Sequence, residues 1–167
     1  SYPAYFAEPN LLPLIGIAST LLSFRKGVTQ SSSHGMSVLA LVLCGVTGQI
    51  DRGYDYGQLA LSYARRFGGV EESLTTFVVD AFIRHYKDPL LEVAQRLYEG
   101  WMRNRDGGDQ ENATYCAGVA QYTDCLAGRS VDYDLRHPEV VDYLVSVNMP
   151  HVKDCFLAWD ALFQALR

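Results

Sequence analysis

A chain of 167 residues with 49% hydrophobic content has apolar mass for one compact domain and too little for two. Nineteen acids against fourteen bases give a net charge of −5, the opposite of the basic balance of a general nucleic-acid binder, and the apolar content excludes a disordered tail. Four cysteines are too few for a disulfide scaffold.

The chain opens on Ser1, with no basic n-region or small-residue cleavage site, and reads as a piece of something longer. After a short lead-in, Ser1–Phe6, the first break falls at Ala7-Glu8-Pro9. Between Pro9 and Ile50 the only charges are Arg25 and Lys26. The apolar stretches Leu11–Phe24 and Met36–Val46 each fall short of the roughly 18 residues a spanning helix needs. Gly27 and Ser31-Ser32-Ser33-His34 separate them, so they read as the most buried helix pair of a globular core. The next break is Thr47-Gly48.

Gly53 and Ala60 lie seven residues apart, two turns along one face, where small side chains let one helix lie close to another. The segment resembles the second half of a tetratricopeptide unit, with Ala40, Leu41 and Cys44 where the aromatic-Leu-Gly pattern would stand. Gly68-Gly69 ends it. Glu71–Tyr86 then places Leu74, Phe77, Val78, Phe82 and Ile83 at helical steps, with Asp80 and Arg84 as an i,i+4 pair. After Lys87-Asp88-Pro89, the stretch Pro89–Arg103 places Leu90, Val93, Ala94, Leu97 and Trp101 likewise. Gly107-Gly108, Ala127-Gly128 and Asn148-Met149-Pro150 are the remaining breaks, and His151–Leu166 is the last helical stretch. Alternate breaks recur about every 40 residues, which predicts a repeat of helical hairpins. Residues also recur at an offset of 80: Leu11 with Leu91, Arg25 with Arg105, Gly27 with Gly107, Ala40 with Ala120 and Gly48 with Gly128.

Little along the chain points to catalysis. His34, His85, His137 and His151 contain no i,i+3 or i,i+4 pair of the kind a zinc site on a helix uses. His85 reads as a helix-end cap. Cys44 and Cys116 read as small core residues, while Cys125 and Cys155 could approach each other across stacked helices. Asp132-Tyr133-Asp134 reads as a solvated or capping loop, Asp51 and Asp55 as acids at a helix start, and Asp106-Gly107-Gly108-Asp109 as an interhelical turn with Asp109 as N-cap. Asn112-Ala113-Thr114 matches a glycosylation sequon inside a predicted helix. Tyr54, Tyr56, Tyr63, Tyr86, Tyr98, Tyr115 and Tyr122 read as core rings between layers, or as a ladder for a bound peptide. Residues 106–167 carry 10 acids and 4 bases, which reads as a solvated helix surface.

Residues 81–92, Tyr98-Glu99-Gly100-Trp101, Gly108-Asp109, Tyr115-Cys116-Ala117 and Gly128 resemble the helical-repeat region of very large signalling proteins. Those proteins join a Ser/Thr-kinase-like domain and an AAA-type ATPase to GAF and histidine-kinase domains. Here Tyr86 stands where the family has Trp, and the family's Tyr-Ala pair is loosened to Tyr115-Cys116-Ala117. The resemblance covers about residues 35–135 and implies a connecting scaffold in a cytoplasmic protein. It places no catalytic, cofactor-binding or metal residue in this segment.

The expected architecture is all-α: a single domain over 1–167, a right-handed α-solenoid of about four antiparallel hairpins at 9–46, 49–86, 89–126 and 137–166. The expected function is a non-catalytic scaffold linking ATPase or kinase modules to sensor modules. The alternatives are a tetratricopeptide-like adapter holding a peptide or protein on a concave face and, behind it, a small α-helical enzyme. Expected partners are flanking domains of a parent chain or a protein or peptide, with no nucleic acid, no membrane span, no cofactor and no metal.

Overall fold

Helices end where the sequence supplies residues that tolerate a reversed backbone. Gly27, Gly48, Gly68, Gly69, Gly108 and Gly128 all have positive φ, and the Gly68 amide closes the helix before it on the Ala64 carbonyl at 2.8 Å. The computed structural model describes residues 8, 10–128, 138–147 and 149–166, with residues 70, 151, 156, 160, 163, 164 and 166 by backbone alone. Among the described residues the regular structure is helical, with no strand. In chain order the helices are α1 Leu11–Lys26, α2 Ser32–Gly45, α3 Ile50–Phe67 and α4 Val70–Phe82. A 3-10 turn, Arg84–Tyr86, follows, and then α5 Leu90–Asp106, α6 Gln110–Leu126, α7 Pro138–Ser146 and α8 Pro150–Leu166.

The chain gathers into two compact units, Ser1–Lys87 and Asp88–Arg167, divided at the Lys87-Asp88-Pro89 break. In the first, α2 packs on α1, α3 and α4, and α3 packs on α4. In the second, α6 packs on α5, α7 and α8, and α7 packs on α8. The pairing scheme is the same in both. Residues 80 apart take matching places in it: Ala40 and Ala120 are fully buried, and Gly48 and Gly128 both turn with positive φ.

The core of the first unit is Ala40 and Cys44 of α2, Leu61 of α3, Val79 of α4 and Ile83, with Tyr54 and Tyr56 packed against it. Glycines set how close the helices come. Gly53 of α3 lies directly on Cys44 Sγ and the Ala40 carbonyl of α2. A side chain at Gly16 would meet Val38, and one at Gly35 would meet Ser19, each at 2.6 Å. In the second unit Val93, Ala94, Leu97, Tyr98 and Trp101 of α5 are buried, as are Ala113, Cys116, Ala117 and Ala120 of α6.

Three expectations are corrected. Ser32, Ser33 and His34 are not a separator; they form the first turn of α2. Ser32 and Ser33 are buried there, with Ser23 Oγ bonding Ser32 Oγ at 2.7 Å and Thr75 Oγ1 donating to Ser33 Oγ at 3.2 Å. The helix expected to run unbroken to Tyr86 ends at Phe82, because Ile83 turns away at φ −122° and the chain tightens into the 3-10 turn. The third correction concerns the uncharged pair of helices. Met36, Val38, Ala40 and Cys44 of α2 are buried as expected, but α1 is packed the other way round, with its large apolar side chains outward. The lead-in Ser1–Phe6 lies outside the described residues.

Candidate functional site

The outward face of α1 is the most unusual surface among the described residues. At 100° per residue, half the circumference of the helix, interrupted by Arg25 between Leu14 and Ala18, is spanned by Phe24, Ile17, Leu21, Leu14, Ala18, Leu11, Leu22 and Ile15. None carries a polar side-chain atom. All are exposed, the seven large ones by 38–61%. The opposite side is small and polar: Gly16, Thr20 and Ser23 are buried. Thr20 Oγ1 donates to the Gly16 carbonyl at 2.8 Å, which satisfies the hydroxyl within its own helix, and Ser23 reaches Ser32 of α2. Close packing through glycine and hydroxyl residues therefore decides which side of α1 faces inward, and the apolar side is left over.

Charge marks the two ends of this half-cylinder. Glu8 is exposed just before the helix begins, and Arg25 and Lys26 are exposed in its last turn, where they also complement the helix dipole. Arg25 lies on the same arc as Leu14 and Leu21. A face this apolar offers no group for acid–base or nucleophilic work. It can bind, and what it binds must be apolar.

The residues singled out from sequence do not converge on a reactive site. Among the described residues no three His, Cys, Asp or Glu side chains are placed to hold a metal ion. His85 sits in the 3-10 turn, where its ring bonds to the Ala81 carbonyl and lies 4.3 Å from the Tyr86 ring at a 33° tilt; partial burial is the main influence lowering its pKa. That is the cap the sequence predicts. His137, the Asp132-Tyr133-Asp134 loop and the side chain of His151 lie outside the described residues. All four cysteines are free, with Cys44 and Cys116 buried and Cys155 exposed, so Cys125 and Cys155 are not bridged. Asp109 caps α6, its Oδ1 accepting from the Asn112 amide at 3.2 Å and its Oδ2 from Asn112 Nδ2 at 2.7 Å. Asn112 is buried by that arrangement, so the sequon is not presented for modification. Asp51, in the first turn of α3, also takes Lys87 Nζ at 2.6 Å, and that bond holds its carboxyl below the usual carboxylate range. Of the seven tyrosines, Tyr98 is buried, Tyr122 stacks on Trp159 at 5.6 Å and Tyr86 is exposed by 37%.

His34, in the first turn of α2, is half-buried with both ring nitrogens shut off from solvent, and its pKa is strongly displaced. Neither ring nitrogen has a hydrogen-bond partner among the described residues, and burial lowers its pKa from 6.5 to about 4. Between those values the unfolded chain binds the extra proton. The contribution of neutral His34 is complete above pH 6.5 and is lost as pH falls toward 4. That displacement corresponds to at most about 3–4 kcal/mol. Urea melts of wild type and His34→Gln across pH 7 to 4 check this. The stability difference between them should shift against the wild type as the solution is acidified, and a pH-independent difference would show a solvated imidazole.

Sequence reading missed the α1 face. The signal was present in the spacing of Gly16, Ser19, Thr20 and Ser23, small residues at helical steps that mark a packing side. No α-helix among the described residues is long and apolar enough to cross a membrane. Comparison with protein-family models, with characterised proteins and with solved structures finds no match to this chain.

Proposed function

We propose that the chain is a non-catalytic, tetratricopeptide-like helical-repeat scaffold, and that it connects ATPase or kinase modules with sensor modules in a cytoplasmic signalling protein. The observation that carries this reading is the recurrence of one pairing scheme, α2 on α1, α3 and α4, then α6 on α5, α7 and α8. Repeat arrays are built in this way: each helix buries its face against near neighbours in the chain, so length is added without a single central core. The matched burial of Ala40 and Ala120 and the matched turns at Gly48 and Gly128 support the same reading. A 40-residue hairpin period and right-handed curvature belong to the proposal. Its mechanism is positional: modules attached to an array are held at a set separation. The outward face of α1 is then a surface on which a neighbour docks.

The test is the reading frame around the chain. Kinase, ATPase or sensor motifs on either side are the expected result. A short complete frame closing near Arg167 would overturn the scaffold reading.

A further inference from the structure

The apolar half-cylinder of α1 is large enough, and its charges are so arranged, that it is complementary to itself. We propose that its occupant is α1 of a second copy of this chain, packed antiparallel about a two-fold axis near Ala18. The proposal takes up the docking face named above but does not depend on the parent protein being a signalling chain.

Area comes first. Seven large side chains, each exposing about half of its surface, present roughly 600 Å² of apolar area if a whole large side chain is taken as ~150–200 Å². That is at the upper limit of the largest patch on an ordinary monomer. Two such faces laid together bury at most about 1,200 Å², the lower end of stable protein interfaces, because two convex helices meet along a strip narrower than half of each. An interface at or below that size belongs to the weak, transient class, so a dissociation constant no tighter than micromolar is expected.

Shape and charge fix the orientation. Ala18 lies near the middle of the arc, with Leu14 one turn before it, Leu21 one turn after it and Arg25 at the end of the same row, so two helices can approach closely at the centre and interlock leucines around it. A parallel pair would set Arg25 and Lys26 of one copy beside Arg25 and Lys26 of the other. An antiparallel pair sets them against Glu8 of the other copy, and opposes the helix dipoles. A lipid surface fits less well. Interfacial helices keep a polar side in water, whereas the polar side of α1 is sealed against α2, and Glu8 stands at one end of the apolar strip.

Sedimentation equilibrium of the 167-residue chain over a wide concentration range tests the proposal. The expected result is a monomer–dimer equilibrium in the micromolar range. Leu14→Asp with Leu21→Asp should raise the dissociation constant more than about tenfold with unchanged helical circular dichroism, because both side chains are already in water in the monomer. Glu8→Lys should weaken the dimer, and adding Arg25→Glu and Lys26→Glu should restore it; failure of that rescue overturns the antiparallel arrangement. A chain that stays monomeric at hundreds of micromolar overturns the proposal. In that event, co-sedimentation with anionic phospholipid vesicles would assign the face to lipid instead. A monomer leaves the reading-frame test of the scaffold untouched.

Discussion

Alanine in place of Gly53 should cost the first unit about 3 kcal/mol, a fall in melting temperature of roughly 10–20 °C for a unit of this size. The cause is geometric. A Cβ there would press on Cys44 Sγ, and it would also come within 2.9 Å of the Ala40 carbonyl oxygen and 3.0 Å of the Cys44 amide nitrogen. Two of those three atoms are backbone, so relief requires moving α2 itself, and α2 is the helix on which α1, α3 and α4 all pack. Gly57, one turn later on the same helix, is the control. A Cβ at that position meets Ile83 Cγ2 at 3.2 Å, a side chain that can yield. Alanine also removes the entropic cost of glycine within a helix, so Gly57→Ala should fall within about 1 kcal/mol of wild type. Thermal melts of the two variants separate close helix approach from a general need for glycine. Combining Gly53→Ala with Cys44→Ala should recover part of the loss, the part due to sulfur, and no more. Ala60→Trp, at a fully buried position, should also destabilise the unit, by overpacking. Equal effects of alanine at Gly53 and Gly57 would refute the close crossing.

The same crossing shows what could be read from the residues and what could not. Gly53 and Ala60 were legible as small residues at a helix contact because the charges of α3, Asp51, Arg52, Asp55, Arg65 and Arg66, leave another face to bury. Gly48, Gly68, Gly108 and Gly128 were legible as turns, since positive φ is rare for any residue with a side chain. Asp109 was legible as a cap for a local reason: its partner is three residues away. The face of α1 was not legible in this way. From Leu11 to Phe24 neither of its sides carries a charge, so hydropathy gave no direction, and the choice was made by contacts of Gly16 and Gly35 across a tertiary interface. The start of α2 was hidden because serine is ordinarily a turn residue. Here Ser32 and Ser33 find partners in Ser23 and Thr75, residues brought near only by folding. Asp80 with Arg84 was legible as a pair, but its burial was not, because i,i+4 spacing says nothing about which side of a helix meets solvent.

That burial gives the second large effect. Arg84→Met should cost 3–5 kcal/mol in a urea melt, the range for removing one member of a buried ion pair. Arg84 Nε lies 2.6 Å from Asp80 Oδ1, and the two side chains are 8% and 7% exposed. Water cannot take the place of the guanidinium, so the Asp80 carboxylate loses a partner it cannot exchange for solvent. Replacing both residues by apolar ones, Asp80→Leu with Arg84→Met, removes the charge along with its partner and should return most of the stability. The pair spans the point where α4 gives way to the 3-10 turn, and the same turn leads to a second ion pair that supplies the contrast. Lys87 Nζ meets Asp51 at the same distance of 2.6 Å, but the side chains are 36% and 90% exposed. Solvent and salt screen that pair, so Lys87→Met should leave the urea midpoint close to that of wild type, even with loss of the cation's position 5.1 Å over the Tyr54 ring. Equal distances with unequal effects would assign the energetics of this turn to burial. A small loss at Arg84 would instead mean that water reaches Asp80. A double variant as unstable as Arg84→Met would mean that the hydrogen bond holds the bend at Ile83, whatever the charge.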